Sequence, residues 1–229
     1  MPTLLITGAN RGLGLTFTKT FLEAGWNVHA GCRNPEKAVE LKTLSEQHPG
    51  LEVHKLDVTN GLQVSSLARE LRDKKLDLLL NNAGIMGGRL GFGELDYEEW
   101  LRVLETNCLA PVRMAEAFVE QIAAGERKQI VTISSIMGSV GANETGGSYV
   151  YRSSKAAVNA VMKSLSIDLA CRDISVVVCH PGWVQTDMGG DRAPVTIEDS
   201  IAGLYRVIEG LRLEDSGKFF NYDGTELPW

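Results

Sequence analysis

The sequence predicts an α/β fold, in which a parallel sheet of about seven strands is flanked by helices on both faces. Short apolar runs alternate with amphipathic stretches from one end of the chain to the other. Several of these runs are apolar almost throughout, which is typical of strands buried on both faces of a parallel sheet. Alternating strands and helices indicate βαβ units with right-handed crossovers. We therefore expect one Rossmann-type, doubly wound domain over residues 1–229.

The seven predicted strands are residues 3–7, 27–32, 51–55, 76–80, 129–133, 174–179 and 218–220. Helices are predicted between them, where apolar residues recur at the spacing of one helix face. Val64, Ala115 and Val158 each begin such a pattern. Two glycine-rich loops separate the later elements, at 141–148 (GANETGGS) and 188–194 (MGGDRAP). The second follows the sixth strand, where ligands bind in such sheets, so we expect either a mobile lid or a plain connector.

Composition and charge exclude several kinds of protein. Hydrophobic residues make up 44% of the chain and charged residues 23%, which excludes intrinsic disorder. A formal net charge of -6 argues against nucleic acid and against an anionic membrane surface as partners. No stretch is long and apolar enough to cross a bilayer, and the first residues do not resemble a secretory leader. We therefore expect a cytoplasmic location.

Neither the cysteines nor the histidines show the spacing of metal ligands. The four cysteines form no CxxC pair, and we expect them to be buried free thiols: Cys32, Cys108, Cys171 and Cys179. The four histidines show no paired spacing either: His29, His48, His54 and His180. We therefore predict no metal site.

The first predicted strand leads into a glycine-rich turn at residues 7–14 (TGANRGLG), and a helical pattern follows. Such a turn lets the backbone approach a pyrophosphate, while the helix N-terminus presents free N–H groups to the anion. Its position after a first strand makes the signal stronger than glycine spacing alone. The turn supplies the first candidate cofactor-binding residues: Gly8, Asn10, Arg11, Gly12, Leu13 and Gly14.

The end of the second strand favours NADPH over NADH. An acidic residue near this point usually binds an unphosphorylated ribose, but none occurs before Glu36. Arg33 and Arg11 instead offer guanidinium groups that match a 2′-phosphate, unless both are merely solvated surface cations. Asp57, next to Val58 at the end of the third strand, is a candidate for the adenine amino group or else a turn cap.

Tyr151 and Lys155 open the strongest helical pattern, and their spacing of four places them on one helix face. A nearby ammonium group and the positive ring of an oxidised nicotinamide both lower a phenol pKa from its usual value of about 10. The competing Tyr149 has Ser153 at the same spacing and is the poorer candidate. Taken alone, the pair is better explained as two exposed residues on a helix.

Six motifs together resemble the short-chain dehydrogenase/reductase family over essentially the whole chain. They are TGANRGLG, NNAG at 81–84, Asn107, the serine pair at 134–135, Tyr151 with Lys155, and PGWVQT at 181–186. The tail FFNYDGTELPW, together with YRSSK and PGWVQTDMGG, is similar to the sniffer-type carbonyl reductases and the bacterial C-factor proteins of that family.

The resemblance implies a catalytic set of four residues: Asn107, Ser135, Tyr151 and Lys155. It implies that Tyr151 exchanges a proton with the substrate oxygen, and that Lys155 lowers the phenol pKa and binds the nicotinamide ribose. Ser135 would hold the carbonyl oxygen, and Asn107 would anchor a water that links Lys155 to solvent. The further cofactor-binding residues that it implies are Asn82, Ala83, Gly84, Pro181, Gly182, Val184 and Thr186.

The serine assignment leaves alternatives open. Ser135 precedes Tyr151 by 16 positions, about three more than in most family members, so Ser134 and Ser139 compete with it. We prefer Ser135 because it follows the fifth strand, and because the loop at 141–148 can absorb an insertion.

The predicted function is the NADPH-dependent reduction of an aldehyde or ketone to an alcohol, with Tyr151 as proton donor. An alcohol dehydrogenase working in the oxidative direction and a cofactor-binding signalling protein are the alternatives. Residues of the family motifs that border the site predict an apolar substrate pocket: Met86, Met137, Trp183 and Met188. The helices at 107–123 and 151–171, which are the family's usual contact faces, imply a homodimer, with a tetramer as the alternative.

Overall fold

The structure is a computed structural model, and it describes residues 1–88 and 90–229. Its strands are β1 (Thr3–Thr7), β2 (Asn27–Cys32), β3 (Leu51–Lys55), β4 (Leu78–Asn81), β5 (Gln129–Ile133), β6 (Ser175–His180) and β7 (Phe219–Asn221). They form one parallel sheet in the order β3-β2-β1-β4-β5-β6-β7. The helices are α1 (Gly12–Glu23), α2 (Val39–Gln47), α3 (Gly61–Glu70), α4 (Tyr97–Leu104), α5 (Ala110–Ala123), α6 (Tyr149–Asp168) and α7 (Ile197–Gly210).

Both faces of the sheet are covered, as the apolar runs predict. Successive residues of β1 point to opposite faces, so Leu4 and Ile6 enter one core while Leu5 enters the other. The first core is closed by apolar residues of α1, α2 and α7, and the second by those of α3, α5 and α6. The predicted doubly wound α/β fold is therefore confirmed.

Four strands have the predicted bounds, whereas β4, β6 and β7 begin one or two residues later than expected. The predicted first residues of these strands bond elsewhere through their backbone N–H groups. Leu76 donates to Gln121 O in α5, Ile174 to Leu169 O, and Lys218 to Asp215 O in a turn. The hydropathy pattern cannot show that these residues lie just outside a strand, because they are buried like the strand itself or adjoin it.

Two expectations about local structure are wrong. The helix that carries Tyr151 begins at Tyr149, one residue after Ser148, whose φ of 47° lies in the left-handed region. All four cysteines are free, but Cys171 is exposed because it lies in a surface turn, Ala170–Arg172, while the other three are buried.

Within the described residues, no helix combines the length and the apolar character that crossing a membrane requires.

The sheet topology places the candidate residues along one edge. Strand order reverses at β1, so β1 and β4 flank the switch point at which ligands bind in such sheets. The glycine-rich turn follows β1, the NNAG motif continues from the end of β4, the serine pair follows β5, and PGWVQT follows β6. The parallel strands therefore bring four separate motifs to the same carboxyl edge.

Candidate active site

The glycine-rich turn is held to the end of β4 by Asn82. Its side-chain amide donates to Thr7 O at 2.9 Å and to Gly8 O at 3.2 Å. In return, the Thr7 hydroxyl accepts from the backbone N–H groups of Asn82 and Ala83 at 3.1 and 3.0 Å. These bonds close the turn across the switch point, and they give Asn82 a mainly structural role.

Two glycines in this turn have no acceptable substitute. Gly8 adopts a φ of 67°, in the left-handed region that other residues avoid. A Cβ atom at Gly14 would overlap the carbonyl oxygen of Gly8 and would lie 2.6 Å from the Asn82 side-chain nitrogen. The first turn of α1 therefore packs directly against the turn that precedes it.

The N-terminus of α1 suits a bound anion. It has no side-chain cap, and its first turn contains no acidic residue. The helix N–H groups that a cap would normally satisfy, together with the positive end of the helix dipole, remain available to a ligand. The residues of the turn therefore fit the pyrophosphate of a dinucleotide.

The two candidate phosphate ligands are in different situations. Arg33 is exposed directly after β2. Arg11 is also exposed, but its Nη1 lies 2.6 Å from Oδ2 of Asp187, in the segment after β6. Asp57 Oδ1 accepts from the Thr59 N–H at 3.0 Å and from the Thr59 hydroxyl at 2.7 Å, which is the turn-capping role left open as its alternative.

Tyr151 and Lys155 lie together in the interior at the start of α6. Both are buried, and the Lys155 Nζ atom lies 5.7 Å from the centroid of the Tyr151 ring. Lys155 Nζ also donates to Ile133 O, at the end of β5, at 2.9 Å. A Cβ atom at Gly84 would come within 3.6 Å of the same Nζ atom, so the NNAG motif adjoins the pair.

The serine that faces the phenol is Ser135, whose side chain is near enough to Tyr151 to oppose the rise of its pKa. The competing serines have other partners. The Ser134 hydroxyl donates to Asn159 Oδ1 at 2.7 Å, and the Ser139 hydroxyl donates to Trp229 O at 2.9 Å. The structure thus brings Ser135 together with Tyr151 and Lys155, and gives the other two serines structural contacts.

Burial controls the ionisation of Tyr151 and Lys155 in the protein without bound cofactor. Desolvation raises the pKa of Tyr151 to about 12, opposed by the Ser135 hydrogen bond, and it lowers the pKa of Lys155 to about 8. The expectation that Lys155 lowers the phenol pKa is therefore not met here. The physical reason is that both groups are removed from water, so the desolvation of the phenolate outweighs any attraction to the ammonium.

Asn107 lies in a π-helical turn, Glu105–Leu109, between α4 and α5. Its side chain accepts from the Ile85 N–H at 2.9 Å and donates to Ile85 O at 2.7 Å and to Ser154 Oγ at 3.0 Å. The Asn107 side chain thus holds the loop segment after NNAG against α6. The water that would link Lys155 to solvent stays a prediction, and a π turn is a segment type that is frequent at functional sites.

The segment after β6 is tied down by backbone and side-chain bonds. Val184 pairs with Val195 in an isolated parallel bridge, and Gly182 turns the chain with a φ of 87°. The Thr186 hydroxyl accepts from the Gly189 N–H at 3.1 Å, and its predicted contact with a cofactor stays a prediction. Pro181 O accepts from the Ser200 hydroxyl at 2.6 Å, which anchors this motif to α7.

The four predicted pocket residues all lie on segments that follow the carboxyl edge. Met86 and Met188 are half-buried, as is Met137 in the short turn Ile136–Gly138. The Trp183 side chain is 56% exposed, and its indole N–H donates to Gly189 O at 2.8 Å. The indole is therefore held in place while presenting an apolar face to solvent.

His180, the last residue of β6, lies near this site and was missed by the sequence analysis. Among the described residues, its Nδ1 is one of the buried side-chain nitrogens without a hydrogen-bond partner. Burial lowers its pKa to about 4, opposed by Asp223, and the positive charge of Lys155 lowers it further. Only its position directly before the PGWVQT motif could have drawn attention to it.

Comparison with known proteins places these motifs in one family. Residues 2–195 match the family described as short chain dehydrogenase. The C-signal protein of Myxococcus xanthus is 45% identical over 154 residues, which cover 67% of this chain and 93% of that protein.

Two solved structures are similar over the full length. The carbonyl reductase Sniffer of D. melanogaster has 37% identity and a TM-score of 0.96, with 100% of each chain covered. The NADPH-bound carbonyl reductase from chicken fatty liver has 33% identity and a TM-score of 0.94, with 100% of this chain and 99% of that chain covered. The chain therefore belongs to the short-chain dehydrogenase/reductase family, as its motifs predict.

Proposed function

We propose that this oxidoreductase is an NADPH-dependent carbonyl reductase, which converts an aldehyde or ketone into an alcohol. The proposal is carried by the buried Tyr151 phenol, which has Ser135 beside it and the Lys155 ammonium 5.7 Å from the centroid of its ring. Similarity to carbonyl reductases over the whole chain, one of them with NADPH bound, supports the same activity.

When bound, the cofactor supplies a hydride to the carbonyl carbon, and the chain supplies orientation and a proton. The Ser135 hydroxyl holds the carbonyl oxygen next to the Tyr151 Oη atom. Tyr151 then transfers its phenolic proton to that oxygen as the C–O double bond becomes a single bond. Lys155, which is charged below its pKa of about 8, stabilises the phenolate that is left behind.

The state of the phenol supports reduction as the proposed direction, while the ratios of cofactor and substrate forms set the direction of net turnover. A pKa of about 12 keeps Tyr151 protonated at neutral pH, and reduction needs a proton donor at this position. Oxidation of an alcohol instead needs the phenolate, which is the minor form until a positive nicotinamide ring lies beside it. The protonated resting state therefore favours reduction.

The preference for NADPH rests on charge at the end of β2. Arg33 is exposed there, and Arg11 lies in the neighbouring glycine-rich turn. A guanidinium group forms strong, charge-assisted hydrogen bonds to a phosphate. Arg11 keeps an Asp187 partner in the chain alone, so Arg33 is the more readily available of the two.

A panel of aliphatic, aromatic and quinone carbonyls tests the proposal, with oxidation of NADPH followed by absorbance. We expect turnover by the wild type and a loss of about 10²–10⁴ in kcat for Tyr151→Phe. Tyr149→Phe is the matched control, because this exposed tyrosine lies two positions away in the same helix turn and should leave kcat unchanged. Equal losses in the two variants would overturn the assignment of Tyr151.

A second candidate is a cofactor-binding signalling protein, which the 45% identity to the C-signal protein favours. The same panel separates the candidates. Tight NADPH binding without turnover of any carbonyl, or of alcohols with NADP⁺, would support the signalling protein. Turnover of alcohols that exceeds turnover of carbonyls at neutral pH would support a dehydrogenase.

We also propose that the chain forms a homodimer through the helical face built by the π turn, α5 and α6. Large apolar side chains are exposed there, with Leu109 in the π turn and Ile167 in α6. Light scattering coupled to gel filtration should give twice the chain mass, and an Ile167→Arg variant should shift it to the monomer. A monomeric wild type would overturn this assignment.

A further inference from the structure

A cluster of two histidines and a glutamate lies away from the candidate active site. His29 is in β2, and Glu52 and His54 are in β3, the strand at one edge of the sheet. His29 pairs with Glu52 in the parallel register, and the two-residue repeat of a strand places His54 on the same face as Glu52. Strand pairing thus joins three potential ligands that are separated in sequence.

The separations of their polar atoms match those between the ligands of one metal ion. His29 Nδ1 lies 3.0 Å from His54 Nε2 and 3.7 Å from Glu52 Oε2. One donor atom of each residue lies within 4.8 Å of the other two. In a tetrahedral zinc site, with bonds of about 2.0–2.1 Å, ligand atoms lie ~3.3 Å apart. The separations of 3.0 and 3.7 Å bracket this value, and rotation of the exposed Glu52 side chain would bring its carboxylate to an ion held by both rings.

The surroundings also fit a metal ligand set. The other ring nitrogen of His54, Nδ1, lies 3.7 Å from Glu70 Oε1. Metal-bound histidines commonly direct their second nitrogen at a carboxylate in this way, which fixes the ring orientation and the tautomer. Both histidines are buried, whereas the Glu52 side chain is 53% exposed and leaves one side of the cluster open.

An entry path reaches the cluster from solvent. A cavity of about 310 Å³ is lined by His29 and Glu52 together with residues at the start of β1 and β2 and in the turn before β4. Lys74 Nζ, 3.9 Å from Glu52 Oε1, opposes a cation, and Lys75 also lines the cavity. The Lys74 side chain is 55% exposed, so it can turn into water when an ion arrives.

We propose that His29, Glu52 and His54 form a binding site for a divalent transition metal, with zinc as the best match. Two imidazole nitrogens and one carboxylate oxygen are a typical zinc set, and the fourth position is left to water. The hydrogen bond between the two rings is replaced by two metal–nitrogen bonds. The shared proton moves to the outer nitrogen of the same ring, so no net proton is released by the histidines.

Such an ion would join β2 to β3, the outermost strand of the sheet, at a place away from the candidate active site. Its expected effect is therefore on stability and not on turnover. Calorimetric titration of chelator-treated protein with zinc chloride should show one tight site per chain. Cobalt chloride should give the visible absorption of a tetrahedral Co²⁺ centre, which reports the ligand geometry independently of any activity.

The variants separate this site from incidental zinc binding. Glu52→Gln, at a half-exposed position, should fold normally and weaken zinc binding by at least about tenfold, and His54→Gln should abolish the cobalt spectrum. His48→Gln and Cys171→Ser are controls, because each removes a zinc-binding side chain outside the cluster, and both should bind zinc like the wild type. Zinc should raise the unfolding temperature of the wild type but not that of Glu52→Gln. Equal zinc affinity in the wild type and Glu52→Gln, or loss of binding in a control, would overturn the proposal.

Discussion

The Ser139 hydroxyl donates a hydrogen bond to the backbone oxygen of Trp229 at 2.9 Å. This bond joins the turn after β5 to the tail of the chain, and it directs Ser139 away from the phenol of Tyr151. Ser135, four residues earlier, is the serine that lies beside that phenol. Two serines in one short segment are therefore assigned different tasks.

The first prediction separates those tasks. Ser135→Ala should lower kcat for carbonyl reduction by about 10²-fold, because the substrate oxygen loses a hydrogen-bond donor at the point where charge develops. Ser139→Ala should leave kcat within a few-fold and lower the unfolding temperature, because it releases the tail. Steady-state kinetics and thermal unfolding of both variants check this. A larger loss of kcat in Ser139→Ala would reverse the assignment.

The second prediction concerns cofactor preference. Arg33→Asp should lower kcat/KM with NADPH by at least about tenfold and raise it with NADH, because a carboxylate repels the 2′-phosphate and accepts from a free ribose hydroxyl. Arg69→Asp makes the same change of charge in the last turn of α3, away from the carboxyl ends of the strands. It should change kcat/KM with neither cofactor. An unchanged ratio of the two kcat/KM values in Arg33→Asp would rule out phosphate recognition at this position.

The third prediction tests the close packing of the glycine-rich turn. Gly14→Ala should destabilise the fold by ~1–3 kcal/mol and weaken NADPH binding, since its Cβ has no room beside Gly8 O and the Asn82 side chain. Gly210→Ala, at the end of α7, meets no atom within 4 Å and serves as the control. Urea unfolding and fluorescence titration with NADPH measure both effects. Gly14→Ala protein with wild-type stability would show that the turn can open.

The fourth prediction follows from the burial of Lys155. Its pKa falls from an unfolded value of 10.5 to about 8 in the fold, so the folded state disfavours the charged ammonium at neutral pH. Lys155→Met should therefore abolish reduction but raise the free energy of unfolding at pH 7, by roughly 1–3 kcal/mol after the lost bond to Ile133 O is counted.

The sign of this effect can be checked against pH. Between about pH 8 and pH 10.5 the folded protein has lost the Lys155 proton while the unfolded chain still binds it, so the stability of the wild type rises. The advantage of Lys155→Met should therefore shrink as the pH approaches 10. A constant difference in unfolding free energy across this range would show that Lys155 does not titrate as described.

Elements buried on both faces were predictable from the sequence. The bounds of β1, β2 and β5 agree with the apolar runs, because a strand between two helical layers has no polar face to interrupt its pattern. The structure also brings Ser135 near Tyr151, as the order of their motifs along the chain implies, and their catalytic roles stay predictions.

Features that depend on pairing between distant segments were not predictable. His29 and His54 meet only because β2 and β3 align in one register, and no spacing along the chain encodes that register. The ion pair of Arg11 with Asp187 depends on the path of a loop, and the π turn around Asn107 carries no composition signal. The raised pKa of Tyr151 was missed because burial, and not the neighbouring charge, decides it.

The contact between Arg11 and Asp187 spans the two loops that border the dinucleotide cleft, and both side chains are more than 70% exposed. Because such a pair stays hydrated, it contributes little to the stability of the fold and is readily screened by salt. An arriving anion can therefore exchange places with the aspartate at small cost. Arrival of the ligand would therefore break the ion pair between Arg11 and Asp187 and separate the two loops that it joins.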